Sequence, residues 1–231
     1  KLFEATGSRQ SMEVEAASTE SVSRDVPAVS DASIAVLPVA DMSENKDQGY
    51  FADGMAEEIL NVLARVDGLK VASRTSSFAF KLQPDASAPA IARELGVRHI
   101  LEGSVRKAGD TVRITVQLVD TDREQHLWSQ TFDRPLTAKN LFAIQDEIAT
   151  AVVAALRGKI GARVGDATSA PTRTDDVDAY SLFLEARALF QARRDLNRTD
   201  SLLEEALKID PRFADALAIR AAIRDFGGQY G

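Results

Sequence analysis

The chain contains no cysteine, one tryptophan and two histidines among its 231 residues. Without cysteine there is no disulfide scaffold, no thiolate nucleophile and no thiolate-ligated zinc or iron–sulfur site. The redox compartment stays open, because a cysteine-free chain tolerates reducing and oxidising surroundings alike. No apolar run approaches the length of about 18 residues that a membrane span needs. A basic surface is missing too: the formal net charge of −7 argues against a protein that neutralises nucleic-acid phosphates over a wide face.

Catalytic signatures are equally scarce. There is no G-x-x-x-x-G-K-[ST] and no G-x-G-x-x-G after a strand, so no phosphate cradle is signalled. There is no G-x-S-x-G elbow; Gly103-Ser104 falls inside a strand pattern, where the glycine reads as a bulge or a close approach of two backbones. His99 and His126 lack metal-ligand spacing and read as structural or surface residues. Paired acids at Glu57-Glu58, Asp120/Asp122, Asp146-Glu147 and Asp175-Asp176 read as solvated faces or helix-start charges. No catalytic residue, metal or cofactor is expected. The chain starts at Lys1, with no charged-then-apolar signal segment, and is expected to be a piece of something longer.

What is present organises the chain into three parts. Residues 1–32 are rich in serine and acid and have no apolar periodicity, so they read as a flexible linker. Residues 33–164 read as an α/β domain. Ser33–Val39 and Leu69–Ser73 are short strands, and Met55–Val66 is a helix with Asp53 as its N-cap. Pro89–Leu95 is a short helix stopped by Gly96, and Arg98–Lys107, Val112–Val119 and Gln125–Phe132 form a meander. A long helix follows from about Asn140 to Ile160. This predicts a mixed five-stranded sheet with covering helices. Residues 165–176 form a second linker. Residues 177–231 carry three helical patterns, Asp178–Arg194, Thr199–Ile209 and Phe213–Phe226, the second ending at Asp210-Pro211.

Several blocks, in order, carry a family resemblance: Ser33–Val39, Tyr50–Ile59, Ser73–Lys81, Ala92–Val97, Leu101–Arg106, His126–Trp128 and Phe142–Ile148. Together they resemble the TolB-like N-terminal domain. Leu37-Pro38-Val39-Ala40 departs from it, since the family more often has an aromatic after the proline. Ala206, Ala221 and Pro211 resemble tetratricopeptide-repeat spacing, while Arg187 and the stretch Gln191–Arg198 depart from that consensus. The resemblance implies a non-enzymatic sensory or protein-interaction region of a membrane-anchored bacterial signalling protein. Such domains accompany adenylate-cyclase, winged-helix or kinase output domains, none of whose motifs is present here. It further implies a periplasmic location, with a cytoplasmic one as the alternative, and a membrane tether only before Lys1. A protein or peptide partner is expected on the repeat helices, and no nucleic acid.

Two sets of residues stand out as sites. Arg74-Thr75-Ser76 follows the second strand at a carboxyl end and could hold a small ligand or anion, the competing reading being that Thr75 or Ser76 caps the following turn. Trp128, in a meander strand with Leu127 and Phe132 nearby, suits core or interface packing, the competing reading being a ligand-stacking residue. Phe213, Leu217 and Ile223 lie on a final helix with no following helix to cover them, so they are expected to meet a partner or a second copy. A small-ligand receptor and a structural envelope scaffold remain as alternatives to the sensory reading.

Overall fold

A computed structural model describes residues 29–83, 85–160, 165–166 and 174–228. The expected linker 1–32 therefore lies outside the described residues except for its last four, and so does most of the linker 165–176. The strands are β1 (Ser33–Val36), β2 (Ala40–Asp41), β3 (Lys70–Val71), β4 (His99–Ala108), β5 (Thr111–Asp120) and β6 (Gln125–Pro135). The helices are α1 (Gly49–Leu63), α2 (Arg74–Phe78), α3 (Ala88–Leu95), α4 (Ala138–Ile160), α5 (Val177–Gln191), α6 (Leu196–Ile209) and α7 (Ala214–Gly228). A 3-10 turn, Ala79–Leu82, continues α2.

The sheet has six strands rather than the expected five, in the order β3-β1-β4-β5-β6, with β2 also pairing β4. The extra strand arises because the expected Ser33–Val39 strand breaks. Pro38 has no N–H to give to the ladder. Leu37 N still bonds Leu101 O, and pairing to β4 resumes one step farther on, where Met42 N reaches Val105 O at 2.7 Å. β1 runs parallel to both β3 and β4, whereas β4, β5 and β6 form an antiparallel meander. Gly103 is a close approach, as its position suggested: a Cβ there would lie 2.5 Å from the Thr115 carbonyl oxygen.

Alternation along the strands divides the core into two layers. Ile34, Val36, Leu101, Val105, Ile114, Val116 and Leu118 face α1 and α4, together with Met55, Ile59, Leu63, Ile144, Ile148 and Val152. Ala35 and Ile100 face the other way, onto Phe80, Ile91 and Ala92 of the 3-10 turn and α3. α3 is only eight residues long, closed by Gly96 at φ +64, so it covers just one end of that second face. α5 packs along α1, and α6 and α7 pack on α5. Phe183 of α5 meets Phe213 with ring centroids 4.8 Å apart, and Tyr180 meets Phe142 of α4 edge-on at 4.9 Å. Among the described residues no helix is long and apolar enough to cross a membrane.

Candidate functional site

The first polar constellation joins the α/β layer to the helical segment. α1 begins at Gly49, earlier than expected, so Asp53 is an interior helix residue and not the N-cap; its carboxylate pairs with Lys81 instead. The helix therefore places Glu57 and Glu58 one turn farther from its start, facing α2 and α5. They are not a solvated pair. The Glu58 side chain is 2% exposed and accepts from Arg187 Nη1 at 2.6 Å. Glu57 accepts from Arg74 Nε and from Gln191 Nε2, each at 2.8 Å, with Arg187 Nη2 at 3.7 Å. Burying carboxylates is costly unless cations and donors surround them, and here two arginines and an amide do so. Arg187 also lies over the Phe183 ring, 5.2 Å from its centroid. Beside this cluster Gly54 lets the two helices approach: a Cβ on it would sit 2.6 Å from Leu184 Cδ2.

The expected anion site looks different in three dimensions. Ser73, not Thr75 or Ser76, caps α2, its hydroxyl accepting from Ser76 N at 3.1 Å. Arg74 is committed to Glu57 and lies 4.5 Å from the Phe78 ring centroid, so its charge is already compensated. Trp128 is half-buried against the main core, opposite Leu118 and next to a β-bulge at Leu127. Phe213 is fully buried against Phe183, covered from α5 without any following helix. Ile223 packs partly against the core, and Leu217 alone of these three is largely exposed, at 48%. Arg220 fixes α7 to α6 through Asp200 and Glu204, each at 2.8 Å.

Among the histidines, His126 is exposed while His99 is buried at the start of β4, its Nδ1 donating to the Ser33 carbonyl at 3.1 Å. Burial foremost pushes this imidazole below its ordinary value of 6.5, outweighing the opposite pull of the Ser33 carbonyl and the Asp120 charge. Asp120, opposite it on β5, would be raised by burial alone. The Arg98 guanidinium, bonded at 2.9 Å, more than reverses this and holds it below 3.8. Arg98 also reaches Asp122 and Asp31, so buried Asp120 belongs to a strand-end clasp that exposed Asp122 joins from the solvent side. Among the described residues no group of three or more His, Asp or Glu side chains is placed to hold a metal ion.

A cleft of about 520 Å³ opens on the second sheet face, beyond the end of α3. Its floor is Glu102, Gly103 and Ser104 of β4 with Thr115 and Gln117 of β5, and cross-strand pairing sets Glu102 opposite Gln117. Its walls are Leu37–Asp41, at the carboxyl end of β1, and Phe80, Lys81, Ala88 and Ile91. Clefts at the carboxyl ends of parallel strands are common ligand positions in α/β folds. Arg74, Thr75 and Ser76 do not line it. Sequence reasoning passed over Glu102, although strand alternation puts a charged residue there in a central strand, on the face opposite Leu101 and Val105.

Comparison with known proteins adds the following. Residues 30–151 match the family model described as HilA/YgeH-like transcriptional regulator, second domain. Over 203 residues, 86% of this chain, the sequence is 40% identical to a protein of Rhizobium meliloti (strain 1021) named "Putative adenylate cyclase 3". The chain spans about a third of that relative's length, 34%. Among solved structures, the LpoB C-terminal domain from Salmonella enterica is similar at 18% identity and a TM-score of 0.37, over 48% of this chain and 87% of that one. TolB from Acinetobacter baumannii is similar at 19% identity and a TM-score of 0.39, over 55% of this chain and 28% of that one.

Proposed function

Because the chain belongs to the family of the HilA/YgeH-like transcriptional regulator second domain, we propose that it is a non-enzymatic sensory and protein-interaction region of a larger bacterial signalling protein. In this reading the α/β domain receives a signal. Helices α5–α7, the opening of a tetratricopeptide-like array, carry it to a protein or peptide partner, with exposed Leu217 on the partner-facing side. A module that regulates rather than reacts suits both a transcriptional-regulator family and a relative named as a cyclase. The TolB-like sequence blocks support a periplasmic position, tethered by a preceding segment.

The observation that carries this reading is the buried junction of Glu57 and Glu58 with Arg74, Arg187 and Gln191. Helices held by buried ion pairs respond as a unit, so a change in the α/β layer is felt in α5 and the helices packed on it. The test is the longer protein carrying Arg187→Met, its output read as cyclic nucleotide or as transcription of its target. Altered signal dependence with an unchanged output domain is expected. If exchange measurements show α5 undocked while the output still follows the signal as in the wild type, the reading fails.

A further inference from the structure

The geometry points to the cleft over β4 and β5 as a binding site for a small organic cation, an ammonium group carried on an apolar body. Its charge pattern selects the ligand. The charged residues that line it are Asp41, Lys81 and Glu102. Lys81 turns its ammonium to Asp53 of α1. Asp41 is occupied by the backbone N–H groups of Ser43 and Gln48, at 2.9 and 2.7 Å. Glu102 is half-buried in the floor, and its carboxylate takes part in no hydrogen bond or ion pair with the described residues. A carboxylate drawn partly out of water and left without a cation is an energetic debt that an incoming cation removes.

The rest of the lining completes the selection. The Ser104 hydroxyl and the Gln117 amide flank Glu102 and are likewise without side-chain partners among the described residues. They can hold a second polar atom of the ligand. Leu37, Pro38, Phe80 and Ile91 form an apolar wall for its body. The volume of about 520 Å³ is that of a small-molecule site. An anion, the ligand expected near Arg74, meets the wrong charge here. The inference concerns binding to this chain and stands apart from the signalling role of α5–α7.

The test follows backbone amide resonances of the folded chain while phenethylammonium is added, with phenethyl alcohol and hydrocinnamate as the neutral and anionic counterparts. Phenethylammonium should shift the amides of Glu102, Ser104, Thr115 and Gln117, the alcohol should shift them less, and hydrocinnamate not at all. Glu102→Gln keeps the shape and removes the charge, so affinity for the ammonium compound should fall roughly tenfold, as for loss of a charge-assisted hydrogen bond. Gln117→Glu places a second carboxylate across the strand pair and should tighten binding. Retained dispersion of the other resonances shows that each variant is folded. The proposal is overturned by any of four results: no shift with phenethylammonium, equal binding of hydrocinnamate, unchanged affinity in Glu102→Gln, or tighter binding of a capped lysine tripeptide, which would make the cleft a peptide groove.

Discussion

Replacing Arg187 by methionine keeps most of the side-chain volume and removes the guanidinium from Glu58. The two charged groups are 2.6 Å apart, and their side chains are 11% and 2% exposed. At an effective dielectric of about 20 the attraction is about 6 kcal/mol before desolvation is counted. Breaking a buried pair from one side costs about 3–5 kcal/mol, because the remaining charge keeps its desolvation and loses that cation. We therefore expect Arg187→Met to destabilise the chain by about 3 kcal/mol or more, a fall in Tm of roughly 6 °C upward for a chain of this size. In a Glu58→Gln background the same replacement removes the packing on Phe183, the longer contact to Glu57 and a neutral hydrogen bond rather than the short ion pair, so its cost should drop to about 2 kcal/mol or less. Urea unfolding followed by far-UV ellipticity and Trp128 fluorescence measures both effects. Early loss of ellipticity with Trp128 unchanged would place the damage in the helical segment. The reasoning is refuted if Arg187→Met costs under about 1 kcal/mol, the range of a surface pair, or costs the same in both backgrounds.

Other perturbations probe other links. Gly103→Ala drives a methyl group to 2.5 Å from the Thr115 carbonyl oxygen, backbone that cannot yield, so urea unfolding should show a loss of about 1–3 kcal/mol or more. Gly54→Ala pushes on Leu184, so hydrogen exchange should quicken in α5 with β4 and β5 still protected, and adding Leu184→Ala should restore part of the loss. His99 has a folded-state pKa below the ordinary 6.5, so the unfolded chain binds its proton first and stability falls as pH drops below about 6.5. His99→Gln should flatten that part of the acid-unfolding curve. It should leave the later loss from Asp120, which is held below 3.8 and begins to count only as pH falls toward that value.

Much of the architecture is readable from local pattern. Alternation in Val112–Leu118 announces β5, and the three-to-four spacing of Leu141, Ile144, Ile148, Val152 and Leu156 announces α4. Gly96 stops α3 where a left-handed residue is needed, and Asp210-Pro211 stops α6. Local signals mislead where a side chain has a better distant partner. Asp53 looks like a cap because it precedes an apolar periodic run, yet Lys81 claims it. Glu57-Glu58 look like surface charge because nothing nearby in sequence opposes them. Arg187 lies 129 positions beyond Glu58, and only folding makes them neighbours.

The same division holds for the sites. Hydrophobic periodicity, turn residues and charge balance already determine an α/β layer followed by helices, because each acts over a few residues and survives in any fold that buries the apolar face. Which polar groups are compensated is a property of the whole molecule. Arg74 is a free cation in the sequence and a neutralised one in the fold, whereas Glu102 passes for an ordinary strand residue and becomes the uncompensated charge of a cleft. The difference lies in long-range pairing and partial desolvation. Both depend on how far the eight-residue α3 reaches across the sheet and on which helix Arg187 can touch, and those distances exist only once the chain has packed.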